Sequence, residues 1–96
     1  MTITKSVTFI AKEGHEEKMK ELLSAMVAPS KAERGCLFYE IFQYENERRR
    51  FMAVETWEDE AALNGHKNSA HYAVYKSFYE PYCEEKYTDE LEVLGE

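Results

Sequence analysis

From Ile3 to Ala11 apolar side chains fall on one side of a two-residue alternation, Ile3, Val7, Phe9 and Ala11 against Thr2, Thr4, Ser6 and Thr8, which predicts a β-strand. Glu13-Gly14 breaks that pattern. The period then lengthens: Met19, Leu22, Leu23, Met26 and Val27 stand at helical spacing behind Glu16 and Glu17, predicting an amphipathic helix to about Ala28 that Pro29 disturbs or ends. Gly35 marks the turn into the next element. Cys36 to Tyr44 and Arg50 to Trp57 read as two strands of a hairpin joined by Glu45–Arg49. In these strands Leu37, Tyr39 and Ile41 oppose Cys36, Phe38 and Phe42, while Phe51, Ala53 and Trp57 oppose Met52 and Val54, so both faces are apolar. The chain has helices enough to cover one face, and the other calls for a partner subunit.

Beyond Trp57, the acidic Glu58-Asp59-Glu60 followed by Ala61-Ala62-Leu63 predicts a short helix closed by Gly65 as C-cap. Asn68 or Ser69 can start a second one, with Tyr72, Tyr75, Tyr79 and Tyr82 along one side, failing near Pro81. Tyr87 to Leu94 alternates Leu91 and Val93 against Glu90 and Glu92 as a terminal strand. The expected fold is α+β.

A chain of 96 residues is one domain, and 44% hydrophobic with 14% aromatic residues is enough to pack it. The 19 acidic against 12 basic residues leave a formal charge of -7, which disfavours nucleic acid and anionic lipid as partners. No segment has the length and apolarity of a spanning helix or the form of a signal peptide, so a cytoplasmic protein without membrane contact is expected. Cys36 and Cys83 form no CxxC pair and are expected as reduced thiols. Arg48-Arg49-Arg50 in the hairpin connection reads as a solvated turn or a dimer-contact ion-pair site.

Phosphate-binding glycine loops and a nucleophile elbow are absent from the sequence. His66 and His71 lie five residues apart around a helix start and lack a third ligand in sequence, so no metal is expected. Either imidazole can pack, or take a proton at a pocket wall near neutral pH. Glu55 is embedded in an apolar strand and needs compensation, from an ion pair, a helix N-terminus or a catalytic environment. The tyrosine row can be core or can turn hydroxyls towards a cavity.

The Glu13-Gly14 break, the Pro29–Cys36 segment leading to Tyr39-Glu40, Glu55-Thr56-Trp57-Glu58, Ala61-Ala62-Leu63 with His66, and Ser69-Ala70-His71-Tyr72 together resemble the antibiotic biosynthesis monooxygenase family of the dimeric α+β barrel superfamily. The resemblance implies a single domain over residues 1–96. Its antiparallel sheet would be ferredoxin-like with helices on one face, pairing into a dimeric α+β barrel. Activities implied are cofactor-independent oxygenation of quinols and polycyclic phenols, haem degradation, and isomerisation of a signalling sugar phosphate. The haem pattern asks for an Asn in the first strand, a Trp near position 66 and an axial His near position 76; this chain has no such Asn, and carries His66 and Lys76 at the other two. The expected activity is therefore oxidation of a phenolic substrate by dioxygen without a cofactor. His66 or His71 would be the base, and Phe38, Glu55, Trp57, Tyr72 and Tyr75 the substrate contacts. The rivals are an isomerase of a small carbonyl or phosphosugar, with Lys67 and Lys76 on phosphate and His66 or His71 shuttling a proton, and a dimeric small-ligand-binding or stress-response module without catalysis.

Overall fold

The apolar alternation beginning at Ile3 becomes a central strand, hydrogen-bonded on both sides. The computed structural model describes residues 1–95. Strands β1 (Ile3–Ala11), β2 (Cys36–Gln43), β3 (Arg50–Trp57) and β4 (Cys83–Leu91) form one antiparallel sheet in the order β2-β3-β1-β4. Helices α1 (Glu16–Lys31), α2 (Glu60–Lys67) and α3 (Ala70–Phe78), with a 3-10 turn over Glu80–Tyr82, complete a ferredoxin-like α+β fold. Among the described residues no helix is long and apolar enough to cross a membrane.

The core follows from the two periods meeting. Val7, Phe9 and Ala11 of β1 and Phe51, Ala53 and Trp57 of β3 point to the side where α1 lays down Met19, Leu23 and Met26. Burying each such side chain contributes roughly 1.5 to 3 kcal/mol.

Four boundaries differ from the sequence reading. The first helix passes through Pro29 to Lys31. Proline so near the C-terminus deprives only the Ala25 carbonyl of its bond, and Ala32 closes the helix by donating to the Ala28 carbonyl at 3.2 Å. Gly65 lies inside α2, whose cap is Asn68, donating from its amide and its backbone to the Asn64 carbonyl. The terminal strand begins at Cys83 and stops at Leu91, leaving Val93 and Leu94 outside it. An edge strand with one paired side forms its ladder through backbone, so the polar Cys83–Lys86 run carries no alternation to read. Finally, Leu37 is an extra residue opposite the Trp57–Thr56 step, and this bulge puts Cys36 on the helix side with Tyr39 and Ile41.

The arginine run is tied to its own subunit. Arg48 donates to Gln43 Oε1 at 2.8 Å, Arg49 to the Ala11 carbonyl at 3.1 Å, and Arg50 to the Tyr87 hydroxyl at 3.1 Å.

Candidate active site

The site begins at a glycine. Gly35 has φ of 82°, and a Cβ there would fall 2.5 Å from Ala62 Cβ, so only glycine lets the α1–β2 connection meet α2 this closely. Glu58 N–H donates to the Gly35 carbonyl at 2.8 Å and seals the contact. That approach delivers Glu33 to the end of α2. There its Oε2 accepts from His66 Nδ1 at 2.6 Å and from His71 Nε2 at 2.8 Å.

A helix break brings the two rings together. On a continuous helix, residues five apart point about 140° away from each other. Here Ser69 ends that continuity: its Oγ accepts from Tyr72 N–H at 3.3 Å and donates to the His66 carbonyl at 2.7 Å, capping α3 while holding the last turn of α2. The corner so formed aims His66 and His71 at one carboxylate oxygen. With both rings donating to that oxygen, neutral His66 is held as the Nδ1–H tautomer and its Nε2 is an acceptor.

The His66 ring, 2% exposed, stacks on the fully buried Trp57 indole with centroids 4.6 Å apart and planes at 32°. Residues 55 and 57 share a sheet face, and Trp57 Nε1 donates to Glu55 Oε1 at 2.9 Å. This indole, rather than a cation or a helix N-terminus, compensates the buried carboxylate.

His66 and Glu55 border a cavity of about 40 Å³ with Tyr39, Tyr72 and Tyr75, closed by apolar side chains of β1, α1 and β2–β3 such as Phe9, Met26 and Ile41. Burial pushes all three phenols above their ordinary 10.0; the Glu55 charge adds to this at Tyr39 and Tyr72, and the Tyr72 phenol adds to it at Tyr75. They are therefore protonated donors at neutral pH. A ring acceptor, a carboxylate and protonated phenols around an apolar space can remove a proton and stabilise the oxyanion left behind.

The predicted residues divide. His66, Glu55, Tyr72 and Tyr75 meet at the cavity, and His71 reaches it only through Glu33. Trp57 stands behind His66 and positions both it and Glu55 rather than forming a wall. Phe38 lies on the opposite sheet face, 45% exposed and paired with Thr56, and Tyr39 takes its place as wall. Lys67 and Lys76 are exposed and outside the cavity, which removes the phosphate contacts of an isomerase reading. Glu33, which the sequence offers only as part of the Pro29–Cys36 segment, carries no predicted role there. It also corrects the expectation that a third ligand is lacking, because Glu33, His66 and His71 offer three donor atoms within 4.8 Å of one another. Glu33 lies 33 and 38 positions from the histidines, and no local period links them.

The family model described as antibiotic biosynthesis monooxygenase matches residues 2–77. YcnE of Bacillus subtilis (strain 168), whose name proposes a monooxygenase, is 39% identical over 59 residues, 58% of this chain and 62% of that protein. The chain thus spans less than two thirds of that relative's length. The crystal structure of PA3566 from Pseudomonas aeruginosa superposes with a TM-score of 0.92 at 35% identity, covering 97% of this chain and 94% of the other. Rv0793 from Mycobacterium tuberculosis has the same fold, with a TM-score of 0.91 at 23% identity over 100% of this chain and 98% of that one.

Proposed function

This chain belongs to the antibiotic biosynthesis monooxygenase family, and from that membership and the chemistry of its cavity we propose that it oxidises a quinol or polycyclic phenol with dioxygen, without a cofactor, in the cytosol. The observation that carries the reading is the Glu33–His66 hydrogen bond of 2.6 Å beside a cavity with protonated phenols. Glu33 fixes the tautomer, His66 Nε2 takes the substrate's hydroxyl proton, and Tyr72 and Tyr75 donate to the phenolate.

The electron-rich phenolate passes one electron to dioxygen, and the aryloxyl radical and superoxide combine at a ring carbon that bears hydrogen. Loss of that hydrogen as a proton with cleavage of the O–O bond gives a quinone carbonyl and water. One oxygen atom enters the product, the other leaves as water, and the substrate supplies all four electrons. No external reductant is needed.

A cavity of about 40 Å³ holds a few waters, whereas small-molecule sites run to roughly 300 Å³ and more. Substrate entry therefore displaces side chains, with the half-buried Tyr72 and the flexible Met26 as the movable walls. The reading includes a homodimer closed through the sheet face that carries Phe38 and Phe42, with dimer as the dominant species in native mass spectrometry at micromolar concentration.

The test is oxygen uptake by purified protein given a reduced naphthalenediol. His66→Ala should lower turnover roughly a hundredfold, the size of a general-base contribution, while leaving the oligomeric state unchanged. Uptake no faster than the uncatalysed reaction with a panel of quinols and anthrols would end this reading.

A further inference from the structure

The carboxylate between the two histidines is reached from the side of α2 away from the cavity. On that outer side Glu33, Arg34, Glu58 and Asp59 line an open groove of about 450 Å³, with three carboxylates against one guanidinium. Such a groove raises the local concentration of cations. Glu33, which lines this groove, brings its Oε2 to His66 Nδ1 and His71 Nε2, the three atoms all within 4.8 Å of one another. Their side chains are 15%, 2% and 20% exposed, so Glu33 and His71 are partly open to solvent while His66 is buried.

We propose that Glu33, His66 and His71 bind one divalent first-row transition-metal ion, entering from the acidic groove, and that its occupation turns His66 from a proton acceptor into a donor. Two imidazole nitrogens and one carboxylate select zinc, iron or copper over magnesium and calcium, which take oxygen ligands. Ligand atoms at about 2.1 Å from a shared ion lie ~3 to 3.4 Å apart. To admit it the carboxylate oxygen, now at 2.6 and 2.8 Å from the two nitrogens, withdraws by several tenths of an ångström, and the two nitrogens, within 4.8 Å of each other, settle at the same spacing. Water completes the coordination.

The consequence for the cavity follows from imidazole tautomers. An ion on Nδ1 needs the lone pair there, so the ring proton of neutral His66 moves to Nε2. Nothing is oxidised or reduced. The ring stays stacked on Trp57, but the nitrogen that accepts the substrate proton now carries one. Metal binding on one side of the ring and base action on the other exclude each other. This second half rests on the function proposed above; binding itself does not.

Zinc and cobalt separate the two. Isothermal titration of metal-free protein with zinc should give one ion per protomer, and cobalt should give the visible absorption of a low-coordinate nitrogen and oxygen site. Glu33→Gln and His71→Ala should each weaken binding at least tenfold, while His15→Ala, at the start of α1, should leave it unchanged. No binding below roughly 100 µM zinc, or equal binding by all variants, would overturn the site. Oxygen uptake should fall in step with zinc occupancy and return with a chelator. Stoichiometric binding at Glu33 with uptake unaffected would overturn His66 as the base and leave the metal site standing.

Discussion

The two faces of the sheet use the same strands for opposite purposes. On the helix-covered face, Val7, Phe9, Ala53 and Trp57 are buried, and the polar groups among them are partnered: Glu55 by the Trp57 indole, His66 by Glu33. On the other face the central strand carries the hydroxyls of Thr4, Ser6 and Thr8, with Ser6 and Thr8 buried and Thr4 hydrogen-bonded to Thr56 across the strands at 3.0 Å. Around them stand exposed aromatic and aliphatic side chains, Phe38, Phe42, Tyr87 and Leu91. A covered face leaves little access to water, so a buried carboxylate or imidazole there calls for a protein partner. An uncovered one can keep hydroxyls and still be apolar at its margins. The proposed chemistry and the proposed association thus fall on opposite sides of β3, one residue apart along the chain.

Substitutions can break that division, and the largest effect is expected at Gly35. Gly35→Ala adds a Cβ 2.5 Å from Ala62 Cβ at a positive φ, so overpacking and left-handed strain together should cost about 3 kcal/mol. Chemical denaturation measures it, and the Glu33–His66 contact should go with it, removing activity from the folded fraction. On the open face, Phe38→Glu with Phe42→Glu should weaken self-association roughly a hundredfold, about 2.7 kcal/mol, by burying charge at the interface. Sedimentation velocity should show monomer with native far-ultraviolet circular dichroism. A dimer that survives both charges closes through some other face.

Trp57→Phe sharpens the covered side, since it keeps a ring against His66 but deletes the N–H that reaches Glu55 together with part of the buried indole. Leaving that carboxylate without its donor should cost about 2 kcal/mol, read as a lowered denaturation midpoint. Ser69→Ala should cost about 1 kcal/mol through the lost cap of α3. It should also loosen His71, whose Nε2 lies 3.2 Å from Ser69 Oγ. Smaller still near neutrality is the effect of alkali. Tyr39 and Tyr75 are held above 10.0 in the folded chain, so the unfolded chain loses those protons first. Their stabilisation is complete below about pH 10 and declines as pH rises through the folded values. Thermal midpoints from pH 8 to pH 11.5 should fall only in the upper part of that range.

Periodicity carried β1, the body of α1 and the β2–β3 hairpin, because alternation and helical spacing are set by which face each element buries, and a capping residue carried the start of α3. It also carried the expectation of an uncovered sheet face. It failed where burial does not impose a period: β4 lies on an edge, and the bulge at Leu37 turns Cys36 inward against the count. Of the site, His66, Glu55, Tyr72 and Tyr75 were legible as residue types out of place in their surroundings, a buried carboxylate and a ring near an aromatic row. Their division of labour was not. Trp57 became a positioning residue and Phe38 left the site because stacking and strand facing are settled by the sheet's register. Glu33 shows the limit most plainly, since a loop carboxylate is usually a solvated charge. Only the close approach of Gly35 to Ala62 and the Ser69 corner place it between two histidines, and both are distances across the fold that no spacing along the chain encodes.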